Sequence, residues 1–443
     1  MAQNICVKSG LPVAFGLAGL IGSAAAQVPP ETPEGRKVEA ELRIVPAEGT
    51  ATIHLLPATM DTTQWGWFDN SQPPVMYINS GDTVIVETMM HSHNQLVPGK
   101  TIEELKKLRT DWPGRGPMTL TGPIFVHGAE PGDVLKIKIN KIRARPYGAN
   151  FNVPGMFGQF PDKFPKGQVK YFYLDWDRNV TEFAPGIEVP LRPFPGTLGV
   201  ARAEPGRYNA VPPGPFAGNL DNRDLIEGTT LYVPVFVKGA LVWTGDSHAA
   251  QGNGEVNLTA IETAFKEVNL TIEVLKDQTL EWPRIETPTD WITMGFDKDL
   301  NKALENARAE TFKLLSEQRK ISREQAQELM PKVSDCRVTQ VVDILKGVHC
   351  MSPKDPEATL KEARPEEETS DYLVSAQRGA DMNKLMDDAS WAMLGILEKE
   401  KGLTPLDAYS LSSITMDCRI GGMDGDEKSV HCLVPKNLWV SQR

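Results

Sequence analysis

The stretch LYVPVFVKGALVWTGDSHAAQGNGEVN, Leu231–Asn257, holds both the periodicity that sets the fold and the side chains that set the chemistry. LYVPVFV alternates as a strand does, Lys238-Gly239 reads as a turn, and ALVW, Ala240–Trp243, reads as the returning strand of a hairpin. The same period of two recurs in VLKIKI, Val134–Ile139, and in VNLTIEVL, Val268–Leu275. Turn clusters such as SGD, EPGD and PPGPFAGN separate these runs. The region before residue 290 is therefore expected to be mainly β, two packed antiparallel sheets, with helices concentrated after residue 297.

TGDSHAAQGNGE begins where ALVW ends, so it is expected to be a loop or bend at a sheet edge. It gathers Asp246, His248, Gln251 and Glu255 among glycines, which permit positive φ and close approach of other groups. An imidazole with carboxylates is a ligand set for zinc or a similar divalent ion, and a spare carboxylate can take a proton from polarised water. Asp-x-His alone is equally compatible with a hydrogen-bonded surface loop. Asn219 and Asp221 stand in the Gly/Pro-rich PPGPFAGNLDNRDL just upstream, and Glu262 follows as a site or an ordinary strand carboxylate. His91 and His93, in ETMMHSHN, would share one face if on a strand; a polar loop is the preferred reading, with the pair a second-tier site.

The chain has 443 residues, 40% hydrophobic and 24% charged, enough for two or three packing units. Its net charge of -11 and the lack of a basic stripe among aromatics argue against nucleic acid. Lys8, the short apolar run LPVAFGLAGLIG and Ala24/Ala26 read as a cleaved export signal over residues 1–26, giving a periplasmic or secreted protein. No other segment predicts stable membrane insertion.

The cysteines reveal a repeat. Beyond Cys6, Cys336 and Cys350 recur 82 residues on as Cys418 and Cys432. The same offset aligns KDLNKALENA with ADMNKLMDDA, ISREQAQEL with LTPLDAYSL, SDCRV with MDCRI, and VHCMSPK with VHCLVPK. Each copy predicts a long helix, a short helix capped by Ser322 or Thr404, and two strands. Paired strands in an exported protein predict disulfides Cys336–Cys350 and Cys418–Cys432, leaving His349 and His431 structural. The expected segments are the signal, a β-rich core with the active site at 27–290, a first helical/hairpin copy at 291–354, an acidic linker at 355–380, and a second copy at 381–443. The class is thus mainly β with a C-terminal α+β part made of a duplicated helix–helix–hairpin unit.

PFPGTLGVA, PPGPFAGNLDNRDL, LYVPVFVKGALVWTGDSHAAQGNGEV, SGDTVIVET and TGPIFVHGAEPGD resemble the acetamidase/formamidase family, as do GFDKDLNKAL and GLTPLDAYSLSS; the likeness covers roughly residues 65–439. The resemblance implies a homo-oligomer that hydrolyses a short aliphatic amide to carboxylate and ammonia. It carries over Asn219, Asp221, Asp246, His248, Gln251 and Glu255 as the conspicuous polar positions. This chain departs from the family at Asn253, where Asp is usual; at His127, where Glu or Arg is common; and at Asn257-Leu258, where Cys-Gly is usual.

The sequence shows none of the familiar serine or metalloprotease patterns, so water is the expected nucleophile. The expected roles follow: a divalent metal, zinc foremost, on His248, Asp246 and Asp221; Glu255 as base and then acid, with His248 its partner if no metal binds; and Asn219 and Gln251 orienting the amide. The alternative is a non-catalytic periplasmic binding or assembly protein that keeps the amidase fold.

Overall fold

The computed structural model describes residues 51–359, 364–422 and 427–440. The expected export signal and Cys6 lie outside these residues. Two large sheets form the body. The first has twelve strands in the order Ile53–Leu56, Thr83–Val86, Phe265–Leu275, Val134–Ala144, Thr230–Pro234, Arg284–Glu286, Asp290–Asp297, Lys346–Pro353, Asp335–Gln340, Asp417–Gly421, Lys428–Pro435 and Tyr372–Gly379. The second has nine, running Ala217–Asn219, Phe194–Val200, Val242–His248, Glu262–Thr263, Tyr147–Asn152 and Gln168–Tyr173. Thr119–Val126 branches from Val242–His248 in that sheet and pairs with Thr63–Trp65 and Met76–Ile78.

Alternation buries one face of the first-sheet strands Thr83–Val86 and Phe265–Leu275, whereas Phe194–Val200 and Val242–His248 of the second sheet are buried throughout. Val84, Leu135, Ile137, Leu231 and Leu270 of the first sheet share a core with Leu120, Ile124, Leu198 and Trp243 of the second. Among the described strands, pairing is antiparallel apart from Ile53–Leu56 with Thr83–Val86 and Met76–Ile78 with Thr119–Val126. Purely antiparallel sheets are thus a simplification.

The expected hairpin does not form. Thr230–Pro234 is flanked by Val134–Ala144 and Arg284–Glu286, so both its edges are taken. The chain instead crosses to the other sheet, turning through Ala240 and Leu241 at φ 57° and 61°, before Val242–His248 begins. Alternation identifies strands; it does not name their partners.

After residue 290 the chain runs strand Asp290–Asp297, helix Leu300–Arg319, helix Arg323–Val333, and strands Asp335–Gln340 and Lys346–Pro353. The same order follows at Tyr372–Gly379, Met382–Lys401, Pro405–Thr415, Asp417–Gly421 and Lys428–Pro435. Tyr372–Gly379 lies inside the stretch expected to be a linker; its YLVSAQ run pairs along Lys428–Pro435. Each short helix starts as its cap residue predicts: Ser322 accepts from the Gln325 amide and Thr404 from the Asp407 amide. Both disulfides are present, Cys336–Cys350 and Cys418–Cys432, each bridging directly opposed residues of paired strands. The two runs join through Asp335–Gln340 and Asp417–Gly421, with Arg337 opposite Arg419.

Candidate active site

Val242–His248 is an interior strand. Phe194–Val200 pairs on one side, and Thr119–Val126 and Glu262–Thr263 pair on the other. Every residue from Leu241 to Asn257 is buried. The expectation of a loop at a sheet edge is corrected here: the apolar surroundings of the second sheet bury the polar string instead of leaving it in solvent. Close packing explains its glycines, since a side chain at Gly252 would place Cβ 2.5 Å from the Met416 carbonyl oxygen.

Three carboxylates emerge from left-handed backbone: Asp221 at φ 46°, Asp246 at 49° and Glu255 at 48°. Each such residue costs of the order of 1–3 kcal/mol, and such strain clusters at functional sites. Around them the packing is tight. His248 Nδ1 lies 3.7 Å from Asp221 Oδ1, and its Nε2 lies 3.6 Å from Asp246 Oδ2 and 3.2 Å from Glu262 Oε2. His91 is clamped at Nε2 by Asp246 Oδ1 at 2.8 Å and Glu262 Oε2 at 2.9 Å. Asn219 Nδ2 donates to Asp221 Oδ2 at 2.7 Å, and Thr197 Oγ1 donates to Asn219 Oδ1 at 2.6 Å.

Two sets of ligand atoms result, each lying within 4.8 Å of one another: Asp221, His248 and Glu255, and His91, Asp246 and Glu262. The donor chemistry fits a divalent cation of the zinc type. Asp221 Oδ1, His248 Nδ1 and Glu255 Oε2 are buried with no hydrogen-bond partner, as atoms reserved for an ion or a substrate would be. Of the expected set, Asp221 and His248 fall in one group with Glu255, while Asp246 lies 3.6 Å from His248 Nε2 and also holds His91.

Electrostatics separates these groups. Burial pushes Glu255 well above the usual carboxylate range, and the Asp221 charge adds to it. Burial likewise raises Asp221, and the facing Asp343 adds to this; Asp343 is itself raised by burial and by Glu255. Burial disfavours charge on His91, but Glu262 and Asp246 outweigh it and hold the ring up to about 9. His248 is raised in the same way against burial, chiefly by Glu262 and Asp246. Asp246 and Glu262 are lowered despite burial, by His248 and His91. Burial and mutual repulsion thus push Glu255, Asp221 and Asp343 up, while the two imidazoles pull Asp246 and Glu262 down.

Asn219, Asp221, Asp246, His248 and Glu255 all line one cavity of about 180 Å³. Gln251 stands behind it, donating from Nε2 to the Asp221 carbonyl oxygen at 2.9 Å. His91 and Glu262 line the cavity too, so the second-tier histidine and the ambiguous strand carboxylate belong to the site. His93 does not share the His91 face: both sit in a tight turn, with Ser92 and His93 in left-handed backbone, and His93 packs on Trp65. Asp343, unmarked by any motif, reaches the same cavity from the loop between Asp335–Gln340 and Lys346–Pro353.

The departures have local explanations. Asn253 donates from Nδ2 to Asp417 Oδ1 at 2.6 Å, a contact an aspartate could make only by setting carboxylate against carboxylate. Asn257 exchanges amide hydrogen bonds with Asn150. His127 is exposed against Tyr77 and Phe125, away from the cavity lining.

A mainly β protein with imidazoles and carboxylates buried around a cavity presents groups suited to acid–base chemistry on a small polar molecule. The sequence profile of the Acetamidase/Formamidase family matches residues 59–207 and 202–356, and the chain belongs to that family. The crystal structure of an acetamidase from Bacillus halodurans is 30% identical, with a TM-score of 0.61 over 68% of this chain and 97% of that one. An acetamidase from Yersinia enterocolitica is 26% identical, with a TM-score of 0.62 over 72% and 98%. The acetamidase of Mycolicibacterium smegmatis is 24% identical over 216 residues, 35% of this chain and 53% of that protein. The chain spans about half the length of such curated relatives.

Proposed function

We propose that this protein is an exported, metal-dependent amidase that hydrolyses a short aliphatic amide of the formamide or acetamide kind to carboxylate and ammonia. The observation that carries the reading is the convergence of unpartnered, buried Asp221 Oδ1, His248 Nδ1 and Glu255 Oε2 on one cavity in a chain of this family. Asp221, His248 and Asp246 are the residues we assign to the ion, with zinc foremost and Glu255 within reach of the same point. When bound, a divalent cation polarises the amide carbonyl and the attacking water.

The chain supplies the rest. Glu255, whose environment raises its proton affinity, takes a proton from water as the water oxygen bonds to the carbonyl carbon. The C–N bond then breaks, and the same proton passes to the departing nitrogen, which leaves as ammonia; the carboxylic acid left behind gives up its proton to solvent and becomes the carboxylate. Asn219 on the cavity wall orients the amide, while Gln251 is a positioning residue that fixes the Asp221 backbone. His91 and Glu262 hold Asp246 in place.

The two disulfides support an oxidising compartment and hence export. We further infer that residues 290–353 and 372–435 are a duplicated unit, since their elements recur in order at the offset of the sequence repeat. We retain assembly as a homo-oligomer; the edge strand Ile53–Leu56, with Ile53 and Leu55 exposed, offers it a surface.

The test is ammonia release from formamide, acetamide and larger amides by the mature protein. Glu255→Gln should lower kcat by roughly 100-fold or more, and a variant as fast as the parent removes Glu255 from its role. Silence with every amide, with and without zinc, would favour the binding or assembly protein.

A further inference from the structure

We propose that the cavity takes an amide whose far end carries a carboxylate, bound by Arg109 and Arg115 as specificity-determining residues. The proposal deepens the amidase reading and rests on it for the reacting end of the molecule.

Both guanidiniums line the cavity that holds Asp221, His248 and Glu255. Arg109 closes the helix Ile102–Thr110, reaches Ser92 Oγ with Nη2, and leaves Nη1 buried with no hydrogen-bond partner. A buried guanidinium nitrogen without a partner is costly unless a ligand satisfies it. Arg115 packs against two indoles, with its Cζ 4.9 Å from the Trp65 ring centre and 5.1 Å from that of Trp112. Such packing holds the planar fork still and leaves its edge free for hydrogen bonding.

These arginines do not serve to neutralise the acidic cluster. Among the described residues neither forms an ion pair with a carboxylate. Burial alone depresses Arg109, to about 10, with no carboxylate acting to raise it. The same cavity thus offers acids and imidazoles to meet the amide and guanidiniums that match a planar anion. Phe151, Val153 and Phe157 line the same cavity and suit a short methylene spacer.

Succinamate and butyramide separate the possibilities, since they share chain length and differ by carboxylate against methyl. The parent should favour succinamate in kcat/KM by about tenfold or more, with the difference in KM. In Arg109→Met and Arg115→Met the ratio of the two specificity constants should fall by about tenfold, while Arg109→Lys should retain part of the preference. A parent that hydrolyses butyramide at least as well as succinamate overturns the proposal, as does an unchanged ratio in both methionine variants. If neither is hydrolysed while formamide or acetamide is, the proposal is overturned and the amidase reading stands; if no amide at all is hydrolysed, the amidase reading fails, and calorimetry decides the arginine assignment separately. Succinamate binding weakened in Arg109→Met supports the assignment; equal binding, or none to the parent, overturns it.

Discussion

Gly196 shows how closely the site is fitted. It lies on Phe194–Val200 beside the strand bearing Asp246 and His248, and a Cβ there would fall 2.5 Å from His248 Cε1 and 2.6 Å from Asp221 Oδ1. Gly196→Ala must therefore displace one of two proposed ion-binding side chains. Amide hydrolysis should fall by about 100-fold, because misplacing reacting groups by about 1 Å is that costly, while circular dichroism should still report the folded sheets. Parental activity in Gly196→Ala would mean that Asp221 and His248 need not be held as the structure holds them. Asp221, Asp246, His248 and Glu255 were legible in sequence because they fall in two dense polar strings. His91 is legible only as a second-tier candidate and Arg109 not at all, since their partners Asp246 and the cavity are brought to them only by tertiary packing across the second sheet.

At the level of elements, the strand Lys346–Pro353 carries His349, buried beside the Cys336–Cys350 disulfide with Nδ1 2.8 Å from Thr339 Oγ1. Burial, with Arg337 and Arg223 nearby, depresses the ring from 6.5 to about 4 despite Asp224. Between these values the unfolded chain takes a proton that the folded strand refuses. Stability from this ring is therefore fully present above 6.5 and is lost as the pH falls toward 4. The loss near pH 5 is about 2 kcal/mol. Chemical denaturation near pH 7 and near pH 5 should show a drop in the parent that is smaller by about this amount in His349→Gln; equal drops would contradict a neutral buried ring. The structural role expected for His349 was readable from the lack of metal-ligand spacing. The strand Tyr372–Gly379 was not, because the acidic, proline-bearing run before it hides the YLVSAQ alternation.

Across the whole molecule, the run 372–435 lies beyond the family profile match, which ends at residue 356, yet it supports the site. Ser413 accepts from the Gly252 amide through its carbonyl and from the Asn257 amide through Oγ. Asp417 takes the Asn253 amide and lies among Arg223, Arg337 and Arg419, which together hold it far below the usual carboxylate range against the cost of burial. Asp417→Asn leaves those guanidiniums short of a buried counter-charge and should cost about 3–5 kcal/mol in unfolding free energy. Denaturant titration giving a loss below about 1 kcal/mol would show that the contact is dispensable. The 82-residue offset was visible in sequence; the antiparallel join at Arg337 and Arg419, and its reach to the buried polar string, depend on strand order that periodicity does not encode.

The most direct test of an ion held by Asp221 and His248 with Glu255 beside it is a strip-and-restore assay. The mature protein is freed of metal with a chelator, and ammonia release from formamide and acetamide is followed before and after zinc is returned. Stripping should abolish release and zinc should restore it, with recovery absent in His248→Ala. A stripped protein that hydrolyses either amide at the parental rate would contradict the account.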